Sequence, residues 1–309
     1  MARFFDHLPT ALAEGQPFAL GIISGIKGSS PQKKGAKALF FADGRIIGTL
    51  GGGCLEAEVQ DRARRALLAK QPAKFDLVLD HDFGWDDGLI CGGKVSGLIL
   101  PNAAEARDVW LGLASVQQPI RWGVRPDFTI AVGEASSVES AWLFEETVHP
   151  PCALWIAGSG HIAQGVTPLA QQLDFDVTVF DDRPSLANHN YFPKTTNFRV
   201  DAWDKLLAEP FPQRPTFGLI VTRGHQHDAL VLREWIHRPF AFLGMIGSSR
   251  KKRLIFNRFI EERIASEEQL NRVACPVGLP IEAVSVHEIA VSIMAQYVQH
   301  RSAVLKTAT

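Results

Sequence analysis

The sequence predicts a mixed α/β protein with two domains: a strand-rich N-terminal α/β domain (residues 1–149) and a C-terminal doubly wound parallel sheet (150–309). Three observations predict it. The second half alternates short apolar runs with helical segments, the rhythm of β-α-β units. One of those runs, Ala153 to Ala157, leads into Gly158-Ser159-Gly160-His161-Ile162-Ala163, a G-x-G-x-x-A turn between a strand and a helix. Pro150-Pro151 stands where the rhythm changes, and proline continues neither a helix nor a central strand.

In the first half, Phe18 to Ile26 is apolar and β-branched, and Ala36 to Phe41 and Arg45 to Leu50 flank Asp43-Gly44. Asp-Gly between two apolar runs signals a hairpin, because both positions tolerate positive φ. Gly51-Gly52-Gly53-Cys54 then leads into a helix reaching about Lys70, with Leu55, Val59, Ala63, Ala66 and Leu67 on one face. Strands are expected at Phe75 to Leu79 and Lys94 to Leu100, and a helix from about Ala103 to Ser115. Two more strand-like segments cover Arg121 to Val132 and Ala141 to Val148. In the second half the expected strands are Ala153 to Ala157, Val177 to Phe180, Phe217 to Thr222 and Phe240 to Ile246. Ile162 to Leu173 reads as the first helix and Ile289 to His300 as the last.

With 32 basic and 33 acidic residues in 309, the net charge of −1 gives no global field to draw in nucleic acid or an anionic membrane. Anion binding must therefore come from local patches. The cysteines, Cys54, Cys91, Cys152 and Cys275, form no C-x-x-C or Cys/His zinc spacing, so individual thiols in a reducing compartment are the expectation. The N-terminus lacks a signal-peptide core and no run of about 18 apolar residues occurs, which places the protein in the cytoplasm.

Several segments could carry chemistry. Glycines bring the main chain close to a ligand, and a thiol at a helix N-terminus feels unpaired N–H groups that favour thiolate. Cys54 behind Gly51, Gly52 and Gly53 fits both conditions, although Glu56 and Glu58 disfavour an anion nearby. Cys91-Gly92-Gly93 is a second thiol set against glycine, whereas Cys152 reads as core. Lys27-Gly28-Ser29-Ser30-Pro31 and Lys33-Lys34 offer hydroxyls and cations at a strand end.

The turn at Gly158 and Gly160 fits the Rossmann dinucleotide fingerprint, with His161 opening the helix and Asp181 placed to accept from ribose hydroxyls. Thr222-Arg223-Gly224-His225-Gln226-His227-Asp228 puts a cation, two imidazoles and a carboxylate in one loop, suited to phosphate more than to a metal. Gly247-Ser248-Ser249-Arg250-Lys251 combines a helix start with cations, another anion grip. No P-loop, HExxH or GxSxG occurs, so the standard NTPase, zinc-protease and esterase readings lose support.

Taken together these segments resemble a known family. GSSPQKKGAKALFFADGRIIGTLGGGCLEAEV (Gly28 to Val59) is similar to the N-terminal signature of the xanthine dehydrogenase accessory protein family (XdhC/CoxI), and Cys91-Gly92-Gly93 to its second cysteine motif. IAGSGHIAQ, VFDDRP, VTRGHQHD, MIGSSRKK and CPVGLPIEAVSVHEIAVSIMAQ follow in the family's order. Where many members carry Asp-Ile-Gly after Gly-Leu in the tail, this chain reads Pro280-Ile281-Glu282.

The resemblance implies a maturation factor, rather than an independent enzyme, that binds molybdenum cofactor transiently. It implies support for replacing an oxo ligand by sulfide and for inserting the cofactor into apo xanthine dehydrogenase or a related molybdenum hydroxylase. A cysteine desulfurase would be the sulfur-supplying partner, and a homodimer remains open. Thiolate is a soft ligand suited to molybdenum, so Cys54 leads as the contact and Cys91 follows. The Gly158 loop and the Arg250 region would hold the cofactor's phosphate. Two other readings of the residues stand beside this one. One is an NAD(P)-dependent oxidoreductase using the Rossmann half, with His225 or His227 for acid–base work; the other is a sulfurtransferase carrying a persulfide on Cys54.

Overall fold

The computed structural model describes residues 4–79, 93–133 and 142–307, and the chain divides into two compact units, Ala2–Pro150 and Pro151–Thr309 (with Met1).

In the N-terminal unit a 3-10 turn, Phe4–His7, runs into α1 (Leu8–Ala13). Then come β1 (Phe18–Lys27), β2 (Lys37–Phe41), β3 (Ile46–Gly48), α2 (Gly53–Ala69), β4 (Ala73–Leu79) and β5 (Gly93–Leu100). These five strands form one antiparallel sheet in the order β3-β2-β1-β5-β4. Strand alternation sorts β1 between two cores. Ala19 and Ile23 face the stripe Leu55, Val59, Ala63 and Ala66 of α2, together with Phe40, Val95 and Ile99. Phe18, Leu20 and Ile22 face the other way. They meet Trp110 of α3 (Arg107–Ala114) and a three-stranded antiparallel sheet of β6 (Ile120–Val124), β7 (Ile130–Val132) and β8 (Phe144–Val148).

Two local features differ from the sequence expectation. The run Arg121 to Val132 is a hairpin, not one strand: Arg125 N–H donates to Thr129 O (2.9 Å) and Phe128 takes φ 64°, so the chain reverses at Pro126-Asp127. The helix expected from Leu55 begins at Gly53, which puts Cys54 inside its first turn.

The C-terminal unit runs β9 (Cys152–Ala157), α4 (His161–Gln172), β10 (Phe175–Asp181), β11 (Asn197–Val200), α5 (Trp203–Leu207), β12 (Thr216–Ile220) and α6 (His225–Trp235). It continues through β13 (Phe242–Met245), α7 (Ser249–Glu261), α8 (Glu267–Asn271), β14 (Val273–Ala274) and α9 (Val286–Thr307). All six strands are parallel in the order β11-β10-β9-β12-β13-β14. That is the arrangement of dinucleotide-binding Rossmann folds, with the order reversing between β9 and β12.

Every residue of β9 is buried, as a strand covered on both faces requires. Trp155 and Ala157 pack with Phe180, Trp203 and Trp235 on one face. Leu154 and Ile156 pack with Val166 of α4 and with Ile293, Met294 and Tyr297 of α9 on the other. Tyr297 completes that contact by donating its hydroxyl to Gly218 O of β12 at 2.6 Å. No helix among the described residues is long and apolar enough to cross a membrane.

Candidate functional site

In the N-terminal unit the backbone approaches α2 through Gly51, Gly52 and Gly53 at φ 120°, 74° and 59°. L side chains avoid these conformations. A Cβ on Gly52 or Gly53 would meet nothing within 4 Å, so glycine is required there by the turn itself, and the space above it is open. Gly51 differs, because its Cβ would lie 2.8 Å from Pro31 Cγ; the glycine loop and the Ser29–Gln32 loop touch at this point. Ser29 is exposed and its carbonyl oxygen abuts Gly93, where a Cβ would be 1.9 Å away. Ser30 Oγ accepts from Gln32 N–H at 3.4 Å, and Lys33 and Lys34 stand exposed beside it.

Cys54 is half-buried with a free thiol. The carboxylates beside it are both engaged elsewhere. Glu56 Oε2 accepts from Leu50 N–H and Thr49 Oγ1, each at 2.8 Å, and Gly51 N–H donates to Thr49 Oγ1 at 3.0 Å. From the first turn of α2, Glu56 therefore braces the glycine loop that leads into it. Glu58 pairs with Arg62 one turn on, at 2.7 Å. By contrast Cys152 and Cys275 are buried, and burial pushes both thiols up. Cys91 lies outside the described residues.

In the C-terminal unit the remaining candidates share one edge of the sheet, beyond the carboxyl ends of the strands. Gly158 takes φ 111°, and a Cβ there would stand 2.4 Å from Val221 O, so glycine lets the ends of β9 and β12 close against each other. Gly160 is the N-cap of α4, has no side-chain cap and faces open space. His161, His225 and Arg250 are exposed, and Arg250 has no partner among the described residues. Arg223 donates to Asp182 at 2.9 Å and lies 3.1 Å from His227 Nε2. Ser248 Oγ caps α7 by accepting from Lys251 N–H at 3.2 Å. Among the described residues no group of three His, Cys, Asp or Glu side chains could hold a metal ion.

Asp181 departs from its sequence-based role. It is 1% exposed, and its carboxylate accepts from Ser159 N–H and Oγ and from three Arg183 donors, all at 2.8–2.9 Å. Burial raises its pKa, but the Arg183 and Ser159 hydrogen bonds outweigh that and hold it down at about 2. A carboxylate so saturated is a latch on the glycine turn rather than an acceptor for ribose hydroxyls.

Sequence reasoning placed Asp228 in its loop but missed its pairing: it is fully buried, accepts from Thr222 N–H (3.0 Å) and Oγ1 (2.7 Å), and pairs with Lys251 Nζ. Lys251 in turn donates to Ile246 O at 3.0 Å, so one ion pair joins the loops after β12 and β13. Their alternation of polar residues gave only the loop; the partner sits 23 residues away.

The profile of the XdhC and CoxI family matches residues 11–80, and that of the XdhC Rossmann domain matches residues 154–297. The chain is 30% identical to YqeB of Escherichia coli K12 over 92% of its own length and spans 43% of that relative. It is 26% identical to a probable xanthine dehydrogenase subunit of Bacillus subtilis, covering 98% of this chain and 99% of the relative. It is 24% identical to the molybdenum cofactor insertion chaperone PaoD of E. coli K12, covering 93% and 84%. Among solved structures, one described as a xanthine dehydrogenase from Bacillus halodurans matches with a TM-score of 0.84 at 25% identity, covering 97% of this chain and 96% of that one. With both profiles in chain order on the two units that carry the candidate residues, the chain belongs to the XdhC and CoxI family.

Proposed function

We propose that this protein is an accessory factor in the maturation of a xanthine dehydrogenase or related molybdenum hydroxylase, and that its N-terminal unit takes molybdenum cofactor as cargo at Gly51–Cys54. The observation that carries this reading is the half-buried Cys54 thiol on an open glycine turn, with Glu56 and Glu58 both turned to other partners. A cysteine sulfur there suits a soft metal. The name of the relative PaoD, a molybdenum cofactor insertion chaperone, supports the same cargo. The exposed Lys33 and Lys34 beside Ser29 and Ser30 offer charge for an anionic group. In the C-terminal unit, Gly160, His161, Arg223, His225, Ser248 and Arg250 form a separate set of donors suited to a phosphate group such as the cofactor carries.

The engaged state of Asp181 weighs against an NAD(P)-dependent oxidoreductase, because the ribose acceptor that reading needs is already taken. Sulfuration belongs to the proposal as well, with a cysteine desulfurase as partner and insertion of the sulfurated cofactor into the apo-enzyme as the outcome. Protein produced in cells that make the cofactor is to be purified and its oxidised pterin fluorescence measured. Wild type should retain pterin and Cys54→Ala should lose most of it. Pterin absent from wild type, or equal in the two, rejects the reading. Mass spectrometry of Cys54 after incubation with a desulfurase and cysteine tests the persulfide alternative, which predicts one added sulfur atom on that residue.

A further inference from the structure

Lys37 is an unusual lysine. Its side chain is 7% exposed, and its ammonium donates to Gly35 O (2.6 Å) and pairs with Glu146 (2.6 Å). The rings of Phe5, Trp122 and Phe144 surround it at 5.4, 5.7 and 5.5 Å. Glu146 Oε1 also accepts from Trp122 Nε1 at 2.8 Å. Burial pushes the lysine pKa down while Glu146 holds it up, and the net is a value below the ordinary one. Apolar residues of that volume would fill the space without a desolvation cost, so stability alone gives little reason for an ion pair here.

What the pair touches gives a better reason. The Lys37 ammonium holds the carbonyl of Gly35, the last residue but one of the loop that carries Ser29 and Ser30, and Gly35 N–H is fixed to Ile23 O at 2.8 Å. Gly35 has φ 92°, and a Cβ on it would come within 3.2 Å of Glu146 Oε2, so loop and ion pair are fitted to each other. The Lys37 carbonyl holds the other loop, accepting from Thr49 N–H at 3.1 Å. Thr49 is the residue whose hydroxyl takes Gly51 N–H and meets Glu56. The two loops then touch where Pro31 meets Gly51. One residue thus roots both.

We infer that the Lys37–Glu146 pair positions the two loops that flank Cys54 and thereby sets the geometry in which that thiol meets its ligand. Lys37 and Glu146 are positioning residues: their side chains act through Gly35 on the Ser29–Gln32 loop, which touches the glycine turn at Gly51, while the strand backbone at Lys37 holds Thr49. The inference rests on the cargo reading above for what the ligand is, and on the contacts just given for the positioning.

Its test uses the full chain. The rate of Cys54 alkylation by iodoacetamide is followed by peptide mass spectrometry in wild type, Lys37→Met, Glu146→Gln and the double variant Lys37→Met/Glu146→Leu. Amide hydrogen exchange of β1 and β5 peptides, from the same unit as Cys54, reports global opening of that unit. Each single variant should change the Cys54 rate at least about threefold while β1 and β5 stay protected. Pterin retention should fall in the same variants. Cys54 rates within about twofold of wild type in the folded single variants would overturn the inference, leaving the pair a packing feature.

If a single variant loses the protection of β1 and β5, the double variant decides, since it leaves no unpaired buried charge. A wild-type Cys54 rate in the folded double overturns the inference, and an altered rate upholds it. Failure of wild type to retain pterin sinks the cargo reading alone, because the alkylation comparison needs no cargo.

Discussion

Replacing Asp181 with Asn is the sharpest perturbation of the C-terminal unit. Its carboxyl is held at about 2, against 3.8 for the free group. At about 1.4 kcal/mol per pKa unit, that difference stabilises the folded state by about 2 kcal/mol at neutral pH. Because the folded value is depressed, this contribution is complete above the unfolded pKa and is lost as pH falls through the folded one. The Asn amide also turns a donor toward a site whose neighbours Ser159 and Arg183 are all donors, which adds about 1 kcal/mol. Amide hydrogen exchange of peptides from β9 and β10, analysed as opening free energies, reads the unit that carries the latch. Wild type should exceed Asp181→Asn by about 3 kcal/mol at pH 7, and the gap should narrow by about 1 kcal/mol by pH 3. A gap under about 1 kcal/mol at pH 7, or one that does not change with pH, would refute the latch.

Four further outcomes follow from the contacts. Gly52→Ala forces an L residue to φ 74° with no steric gain, and should cost about 1–3 kcal/mol in urea unfolding of the N-terminal unit. Glu56→Ala removes the acceptor of Leu50 N–H and Thr49 Oγ1; exchange at Leu50 and Gly51 should rise while the unit loses about 1 kcal/mol. Asp228→Asn strands the Lys251 ammonium next to a neutral amide and should cost about 2–4 kcal/mol, read from exchange of β12 and β13 peptides. Glu282→Gly relieves an exposed left-handed residue at φ 55° and should raise stability by about 0.5–1 kcal/mol in the same measurement.

The alternation of buried and turn residues made the parallel sheet legible, because strands covered on both faces must be continuously apolar. The helix after Cys54 was legible from its stripe, but its first turn was not, since glycine carries no helical signal. β11 escaped notice because Asn197, Arg199 and Val200 are exposed at the sheet edge and carry no apolar run. The N-terminal α1 is short and opens at His7 with no side-chain cap. Glu282 illustrates a different case: its left-handed φ is what the glycine of the common Asp-Ile-Gly pattern would adopt without strain.

Within the site, the glycine turns announced themselves through composition alone. Their supports did not. Asp181 and Ser159 stand 22 residues apart and Lys37 and Glu146 stand 109 apart, and only packing brings such pairs together. Glu56 was legible as a charge near Cys54, but its hydrogen bonds reverse its meaning, from a nearby anion to a brace.

Tyr297 and its neighbours on α9 have a consequence for the order of events during synthesis. Domains fold largely as units while the chain emerges. The face of β9 and β12 built from Leu154, Ile156, Phe217 and Leu219 is closed in part by Ile293, Met294 and Tyr297, which are made after all six strands. Until the ribosome has passed them, that face of the nascent sheet stays wet and Gly218 O lacks its phenol partner. The N-terminal unit draws its core from residues before Pro150 and can close earlier. The thiol-bearing glycine turn would then be formed while the Gly158, Arg223 and Arg250 loops of the second unit are still waiting for their last helix.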